Sequence, residues 1–214
     1  MPVSINGIGV VQAPAALAST RRPCYLRPRM HDKFVLRVAT AADIPEIKKT
    51  IADSVRQLQA PDYTARQREG ALATVFTVDS QLIADGTYFI AISEAGEMAG
   101  CGGWSYRKTL YGGDAQGERA EPETLDPAVD AAKVRAIFVS PKFARQGLGT
   151  LLLEAAENAA MAAGFRRFEM GSTLTGVALY SLKGYRETGR IVVPVSGGEA
   201  IEVVRMEKSA QFKP

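Results

Sequence analysis

The sequence predicts one α/β domain in which a mixed β-sheet is flanked by helices. Strand-like runs alternate along the chain with segments whose apolar residues recur at helical spacing. Two apolar runs, 88–92 and 98–106, are separated by Glu-Ala-Gly-Glu and predict a β-hairpin. A long Ala- and Leu-rich helix follows a buried strand after a short loop. Together these patterns predict an α/β (α+β) domain spanning residues 33–214.

The predicted elements follow the order β-α-α-β-β-β-α-β-α-β-β. The first helix is well marked, because Ile44, Ile47, Ile51 and Val55 recur at three- and four-residue spacing before Pro61. The predicted helices cover 41–58, 63–76, 147–163 and 173–183. The predicted strands cover 34–39, 88–92, 98–106, 134–139, 166–171, 185–190 and 201–206. A polar, Gly- and Pro-containing stretch between 109 and 132 predicts a functional or mobile loop.

Composition argues against several classes of protein. The 214 residues carry a net charge of +3. The sequence has no run of Lys and Arg interleaved with aromatic residues, so a nucleic-acid partner is not indicated. No apolar run approaches the ~18 residues of a membrane-spanning helix, so we expect no membrane insertion. Two distant cysteines, Cys24 and Cys101, and the single His31 favour neither a disulfide framework nor a metal site. We therefore expect a cytoplasmic protein without a metal cofactor.

Residues 1–32 differ in composition from the rest. They contain four arginines, four prolines and no acidic residue before Asp32. Three interpretations stay open: a start codon assigned too early, since Met30 lies just before the first strand; a flexible arm; or a transit peptide.

The most informative segment joins the strand 134–139 to the helix that begins at Gly147. The first N–H groups of a helix have no acceptor within it, and the helix dipole places positive charge at the same end. Such a turn suits a diphosphate. Gly147 and Gly149 lack a Cβ, so phosphate oxygens can approach the main chain. Lys142 and Arg145 add positive charge, and Thr150 offers a hydroxyl.

Two other phosphate-binding loops do not fit this segment. The GxxxxGK[ST] pattern of nucleoside triphosphate sites is absent. The dinucleotide fingerprint needs a small residue where Leu152 stands.

The run from Ala136 to Leu153 resembles the acetyl-CoA-binding motif of the GNAT superfamily of N-acyltransferases. That motif has the form (Q/R)-x-x-G-x-(G/A) after a strand ending in V-x-P. Val139, Pro141, Gly147 and Gly149 match it, whereas Ala144 occupies the usual Gln or Arg position beside Arg145.

The resemblance implies a GNAT-like fold with a mostly antiparallel central sheet and acetyl-CoA as co-substrate. It implies that Phe138 and Val139 pair through their main chain with the pantetheine arm, like an added strand. It further implies that the cofactor contacts come from Arg145, Gln146, Gly147, Leu148, Gly149, Thr150 and Thr173.

A second resemblance covers 173–185, which is similar to the family's N-x-x-A-x-x-L-Y-x-x-x-G-F/Y. Leu179, Tyr180, Gly184 and Tyr185 match the pattern. Two positions depart from it. Thr173 replaces Asn and is expected to cap the helix and bind pantetheine. Gly176 replaces Ala and is expected to leave space beside the cofactor.

Tyr180 is the expected catalytic residue. By resemblance it protonates the departing thiolate, a role that suits a phenol. The alternative is a helical tyrosine packed in the core.

The general base stays unassigned. An attacking amine must be neutral, so a carboxylate or a water relay should remove its proton. The candidates are Glu118, Glu121, Glu123, Asp126 and Asp130. Cys101 is expected to be a small buried thiol rather than an acyl carrier, and Trp104 to pack in the core or border the acceptor pocket.

Taken together, the motifs predict an acetyl-CoA-dependent N-acetyltransferase in which an amine attacks the thioester directly. The alternatives are a non-catalytic acyl-CoA-binding module and another phosphate-binding protein. The acceptor is a small-molecule or peptide amine that the sequence does not identify. The oligomeric state is also open, with a homodimer as one candidate.

Overall fold

A seven-stranded sheet forms the centre of the computed structural model, which describes residues 33–108, 110, 113–114 and 123–210. The strands are β1 (Phe34–Val38), β2 (Tyr88–Ser93), β3 (Met98–Ser105), β4 (Ala132–Val139), β5 (Arg167–Thr173), β6 (Arg186–Pro194) and β7 (Ala200–Ser209). Their spatial order is β1-β2-β3-β4-β5-β7-β6. Every neighbouring pair is antiparallel except β4 and β5. The predicted fold class is therefore confirmed. The interpretations of residues 1–32 lie outside the described residues.

Five α-helices accompany the sheet within the described ranges. They are α1 (Ile44–Leu58), α2 (Ala65–Leu72), α3 (Ser80–Ala84), α4 (Leu148–Ala162) and α5 (Val177–Leu182). The short helix α3 was not predicted, because five residues are too few to show a helical period. It begins where the Asp79 carboxylate accepts a hydrogen bond of 3.2 Å from the Gln81 N–H. The segment predicted as one helix over 173–183 opens with a 3₁₀ turn, Leu174–Gly176, before α5.

The two faces of the sheet carry different helices, because alternate residues of a strand point to opposite sides. Ile90 and Cys101 face α1, where they pack with its buried residues Ile47 and Ile51. Phe89 points to the opposite face. There it packs, with its neighbours on that side, against the leucines and alanines of α4. The sheet thus separates an α1 face from an α4 face.

The sheet opens between β4 and β5. These parallel strands pair only at Ala132 with Phe168 and at Lys133 with Glu169. On its other side β4 stays paired with β3 as far as Val139. From residue 134 onward, β4 therefore has no strand partner on the β5 side. Unpaired backbone groups in the middle of a sheet need another partner, either water or a ligand.

Tyr63 fastens the far side of this opening. Its hydroxyl donates a hydrogen bond of 2.7 Å to the Glu202 carbonyl and accepts one of 2.8 Å from the Leu174 N–H. The side chain is buried, and burial raises the pKa of the phenol to about 12. The loop between α1 and α2 is thereby held against the ends of β5 and β7.

No helix within the described part of the chain is long and apolar enough to span a lipid bilayer.

Candidate active site

The turn between β4 and α4 presents free main-chain N–H groups. Arg145 and Gly147 both have left-handed backbone conformations, with φ of 63° and 85°. Since α4 begins at Leu148, the N–H groups of its first turn have no acceptor within the helix. No other described residue accepts a hydrogen bond from the N–H groups of residues 145–150. The turn therefore has the amide donors that an anion needs.

The charges beside this turn are not equivalent. Arg145 is exposed and makes no ion pair with any described residue. Lys142 instead donates a hydrogen bond of 2.8 Å to Glu97, and its ammonium lies 5.4 Å from the centre of the Phe143 ring. Arg145 is thus the cation left for a ligand. Gln146 is exposed next to it, Thr150 is half-buried, and the buried Leu148 anchors the helix start in the core.

Gly147 and Gly149, the two glycines of the motif, have different structural roles. Gly147 has open space around it, and its positive φ is the reason that glycine is needed there. A Cβ at Gly149 would lie 2.8 Å from Cδ2 of Leu179, so this glycine lets α5 approach α4 closely. Both glycines were expected to let phosphate oxygens approach the main chain. The open space at Gly147 fits that role, whereas Gly149 faces Leu179.

A β-bulge distorts β4 beside the opening. Ala136 has a φ of 55°, and the register with β3 shifts between Cys101 and Gly103. A Cβ at Gly102 would lie 2.7 Å from Cγ1 of Ile137, so the bulge needs a glycine opposite it. The buried Tyr88 hydroxyl donates a hydrogen bond of 3.0 Å to the Ala136 carbonyl and holds the bulge from the α1 side.

A cavity of about 90 Å³ lies at the opening on the α1 face. Phe138 contributes to its wall and packs edge-to-face on Phe76, with ring centres 5.9 Å apart. Val139, the last residue of β4, lies opposite Gly100 in β3. The cavity wall is mainly apolar, and its polar side chains are Gln59, Thr77, Arg135 and Thr173.

Arg135 reaches this cavity as half of a buried ion pair. Its guanidinium lies 2.7 Å from the Asp79 carboxylate, and both side chains are at least nine-tenths buried. The pair is electrically balanced, so it gives the cavity polarity without net charge.

Thr173 lines the cavity but does not cap the following helix as expected. Its side chain makes no capping hydrogen bond. The Leu174 N–H is bound by the Tyr63 hydroxyl instead. A residue distant in sequence has taken the capping role, which no local pattern could reveal.

Tyr180 lies on α5 in the α4-face core, with its ring packed edge-to-face on Tyr185 at 6.0 Å. No described residue hydrogen-bonds to its hydroxyl. Burial raises the pKa of this phenol to about 12. A Cβ at Gly176 would lie 2.7 Å from Cε2 of Tyr180 and 2.8 Å from Oγ of Ser172. The space expected beside the cofactor is therefore filled by Tyr180 itself, and this corrects the interpretation of Gly176.

None of the described base candidates lines the cavity. Glu123 pairs with Lys108. Asp126 and Asp130 organise the turn before β4, where Asp126 accepts a hydrogen bond from the Ala128 N–H and Asp130 accepts one from the Asp126 N–H. Glu118 and Glu121 lie outside the described residues.

Two further expectations concern the core. Cys101 is fully buried, and burial raises the pKa of its thiol to about 12, which opposes a role as nucleophile. Trp104 packs edge-to-face on Tyr106 and Phe165 in the α4-face core, away from the cavity wall.

Among the described residues, no group of three or more His, Cys, Asp or Glu side chains converges as metal ligands would.

Sequence reasoning missed four residues of this region: Gln59, Thr77, Tyr88 and Asp79. Each acts through a partner or a cavity that lies far away in sequence, so periodicity and motif spacing carry no sign of it. The one available signal was Arg135, a charged residue in a run otherwise typical of a buried strand, which needs a buried partner.

Splayed parallel strands, a bulged strand and an amide-lined turn therefore lie side by side in this fold. The family model described as "Acetyltransferase (GNAT) family" matches residues 52–185 of the sequence. This match covers well over half of the chain, so the chain belongs to the GNAT acetyltransferase family and is an acyltransferase. No curated relative matches the sequence significantly.

Solved structures agree on the fold. A GCN5-related N-acetyltransferase from Rhodopseudomonas palustris superposes with a TM-score of 0.60 at 21% identity, covering 82% of this chain and 94% of that one. A phosphinothricin acetyltransferase from Sinorhizobium meliloti, in complex with AcCoA, gives 0.55 at 22% identity, covering 82% and 88%. PaiA N-acetyltransferase from Thermoplasma acidophilum, in complex with coenzyme A, gives 0.54 at 12% identity, covering 83% and 99%.

The bulge in β4 generates a prediction for Tyr88→Phe. The change removes the hydroxyl that binds the Ala136 carbonyl and keeps the ring in the core. We expect the free energy of unfolding to fall by about 1 kcal/mol, and hydrogen exchange at the Ile137 and Phe138 amides to accelerate. Urea denaturation and exchange mass spectrometry measure the two effects. Unchanged exchange in β4 would show that Tyr88 does not hold the bulge. Tyr185→Phe, which removes a hydroxyl without a hydrogen-bond partner, is the control.

Proposed function

We propose that this chain transfers the acetyl group of acetyl-CoA to a primary amine by direct attack of the amine on the thioester. One observation carries the proposal: the unpaired edge of β4 leads straight into the amide-lined turn before α4. A pantetheine arm can pair with the strand while its diphosphate binds the turn. One continuous stretch of main chain can therefore bind both parts of the cofactor.

The diphosphate contacts come from the N–H groups at Gln146, Gly147, Leu148, Gly149 and Thr150, with Arg145 adding charge. The pantetheine contacts come from the main chain of Phe138 and Val139 and from the Thr173 hydroxyl. These assignments rest on the free donors of the turn and on the exposed strand edge. The cofactor approaches from the α4 face and the acceptor from the cavity on the α1 face, so the two meet in the opening between β4 and β5.

In the chemical step, the nitrogen lone pair of the amine forms a bond to the thioester carbon. Main-chain N–H groups at the β4 bulge stabilise the oxyanion of the tetrahedral intermediate. The C–S bond then breaks, Tyr180 gives its proton to the departing thiolate, the proton of the amine passes through water to solvent, and Tyr180 regains a proton from solvent. Positioning of the two reactants in one cleft supplies a further part of the acceleration.

The raised pKa of Tyr180 is compatible with this role. A phenol with a pKa of about 12 is a poor donor to a thiolate in water, whose conjugate acid titrates near ~8.5. Burial acts on thiols as well, since it raises the pKa of the Cys101 thiol to about 12. A thiolate released into a slot that excludes water would have the pKa of its conjugate acid raised as well, which lessens the mismatch between the two acids.

Arg145→Ala should weaken binding of acetyl-CoA several-fold and make the affinity less dependent on salt, because an unpaired cation near the diphosphate is removed. Lys142→Ala is the matched control, and its effect should be smaller since Glu97 already neutralises that lysine. Isothermal titration calorimetry with acetyl-CoA at two salt concentrations measures both. Equal losses for the two variants would contradict the assignment of Arg145.

Tyr180→Phe should lower kcat by about 10²- to 10⁴-fold, the usual contribution of a general acid, while the affinity for acetyl-CoA stays unchanged. Thiol release and calorimetry report the two quantities, and Tyr185→Phe is the control from the same motif. A variant that retains full turnover would exclude the acid role. A wild-type protein that binds acetyl-CoA but acetylates nothing would favour the non-catalytic acyl-CoA-binding module.

The raised pKa of Tyr180 predicts that the protein loses stability at high pH. The pKa of Tyr180 is raised to about 12 from its ordinary value of 10.0, so the phenol keeps its proton throughout the neutral range. Its contribution to stability is complete below pH 10 and is lost as the pH rises from 10 to 12. The wild type should therefore lose stability more steeply than Tyr180→Phe over that interval. Parallel curves in urea denaturation would contradict the raised pKa.

A further inference from the structure

Tyr63, in the loop between α1 and α2, holds the start of the segment that carries Tyr180. Its ring is buried in an apolar cluster formed with residues of α2, β6 and β7. Its hydroxyl accepts a hydrogen bond of 2.8 Å from the Leu174 N–H and donates one of 2.7 Å to the Glu202 carbonyl in β7. The first residue of the turn before α5 is therefore tied to the sheet by a side chain from a distant part of the chain.

Neighbouring contacts keep Tyr63 and this turn together. The Asp62 carboxylate accepts a hydrogen bond from the Thr175 hydroxyl, one residue along the turn from Leu174. The Tyr63 carbonyl accepts a hydrogen bond from the guanidinium of Arg68 in α2. The Leu174 side chain packs both on the apolar cluster around Tyr63 and on the α4-face core that contains Tyr180. The turn thus lies between the two groups of residues and is held from the Tyr63 side.

The tethered turn is also the surface on which the Tyr180 ring lies. It comprises Leu174–Gly176 and leads directly into α5. A Cβ at Gly176 would lie 2.7 Å from Cε2 and 3.3 Å from Cδ2 of Tyr180, so no side chain fits between the turn and the ring. A displacement of the turn would therefore displace the ring, and the phenol hydroxyl with it.

The helix α5 has little stability of its own. It has only six residues, and isolated helices shorter than ~12 residues are marginal in water because their nucleation is unfavourable. Its orientation must therefore come from its contacts. At its C-terminal end the Tyr185 N–H donates a hydrogen bond of 3.0 Å to the Tyr180 carbonyl. At its N-terminal end the Thr173 side chain makes no capping hydrogen bond, and the Tyr63 hydroxyl binds the Leu174 N–H instead.

The Tyr63 hydroxyl does not compete with Tyr180 as a proton donor. A phenol has one hydrogen to donate, and that of Tyr63 is already bound to the Glu202 carbonyl. The Tyr180 hydroxyl makes no hydrogen bond with any described residue. Tyr63 is therefore suited to hold the segment, and Tyr180 to donate.

We propose that Tyr63 is a positioning residue for acetyl transfer: through the Leu174 N–H it fixes the turn on which the Tyr180 ring rests, and so directs the Tyr180 hydroxyl toward the departing thiolate. This inference rests on the proposed role of Tyr180 and adds to it a residue from outside both sequence motifs.

Tyr63→Phe tests the inference, because it removes the hydroxyl and keeps the buried ring. Thiol release from acetyl-CoA is measured with benzylamine, L-alaninamide, spermidine and kanamycin, and the kinetics are followed with the amine that the wild type acetylates fastest. We expect kcat to fall about tenfold, since a misplacement of about 1 Å can cost ~10²-fold. The KM for acetyl-CoA should stay unchanged, because the strand edge and the turn before α4 are not altered.

Tyr106→Phe is the matched control. It removes a tyrosine hydroxyl that binds Asp85 and that has no part in the proposed site. It should keep the wild-type kcat.

A double-mutant cycle separates positioning from a general loss of stability. If Tyr63 acts through the Tyr180 hydroxyl, Tyr63→Phe should not lower kcat further when Tyr180 is already Phe. A structural defect would lower kcat by the same factor in both backgrounds. Hydrogen exchange gives a readout that needs no acceptor: in Tyr63→Phe it should accelerate at the Leu174 amide and stay unchanged in residues 137–139.

The outcomes separate this inference from the proposed function. The inference alone is overturned if Tyr63→Phe keeps the wild-type kcat, if it lowers kcat equally in both backgrounds, or if exchange at Leu174 does not change. If the wild type does not bind acetyl-CoA in calorimetry, or acetylates none of the four amines, the proposed function fails and this inference fails with it.

Discussion

The early end of pairing between β4 and β5 is the constraint on which the site depends. Two parallel strands that begin in register at Lys133 and then separate leave one edge of β4 without a protein partner in the middle of the sheet. Buried or half-buried backbone groups must find hydrogen bonds elsewhere. The separation therefore creates a slot whose wall is main chain, and β4 residues beside this slot also line the cavity.

Several unusual contacts keep the slot open. The bulge at Ala136 breaks the β3–β4 register, and Gly102 makes room for it. Tyr88 supports the bulge from one side, while Tyr63 ties the ends of β5 and β7 to the loop after α1. Backbone strain of this kind persists only where the surroundings hold it, and it concentrates at functional sites. Among the described residues, the two non-glycine residues with positive φ, Ala136 and Arg145, lie in the strand edge and in the turn that we assign to the cofactor.

The sequence predicted the sheet, its long helices and the glycine-containing turn before α4, because these depend on local patterns: alternation in strands, helical spacing in α1 and α4, and glycine at Gly147. It did not predict α3 or the 3₁₀ turn before α5, which are too short to show a period. It also did not predict the ion pair of Arg135 with Asp79 or the polar atoms of Gln59 and Thr77. Those features arise only when distant segments meet, and a single chain gives no spacing by which to find them. The role of Gly176 was misassigned for a different reason: the Tyr180 ring that fills the space lies only four residues away, but the sequence does not show which way that ring turns.

The central claim is that the exposed edge of β4 and the turn before α4 bind acetyl-CoA together. Hydrogen exchange of the backbone amides with and without acetyl-CoA tests it most directly. We expect acetyl-CoA to slow exchange both in residues 137–139 and in residues 145–150, and ADP, which lacks pantetheine, to slow exchange only in the second group. Protection of neither segment by acetyl-CoA, or protection of the turn alone, would contradict the account.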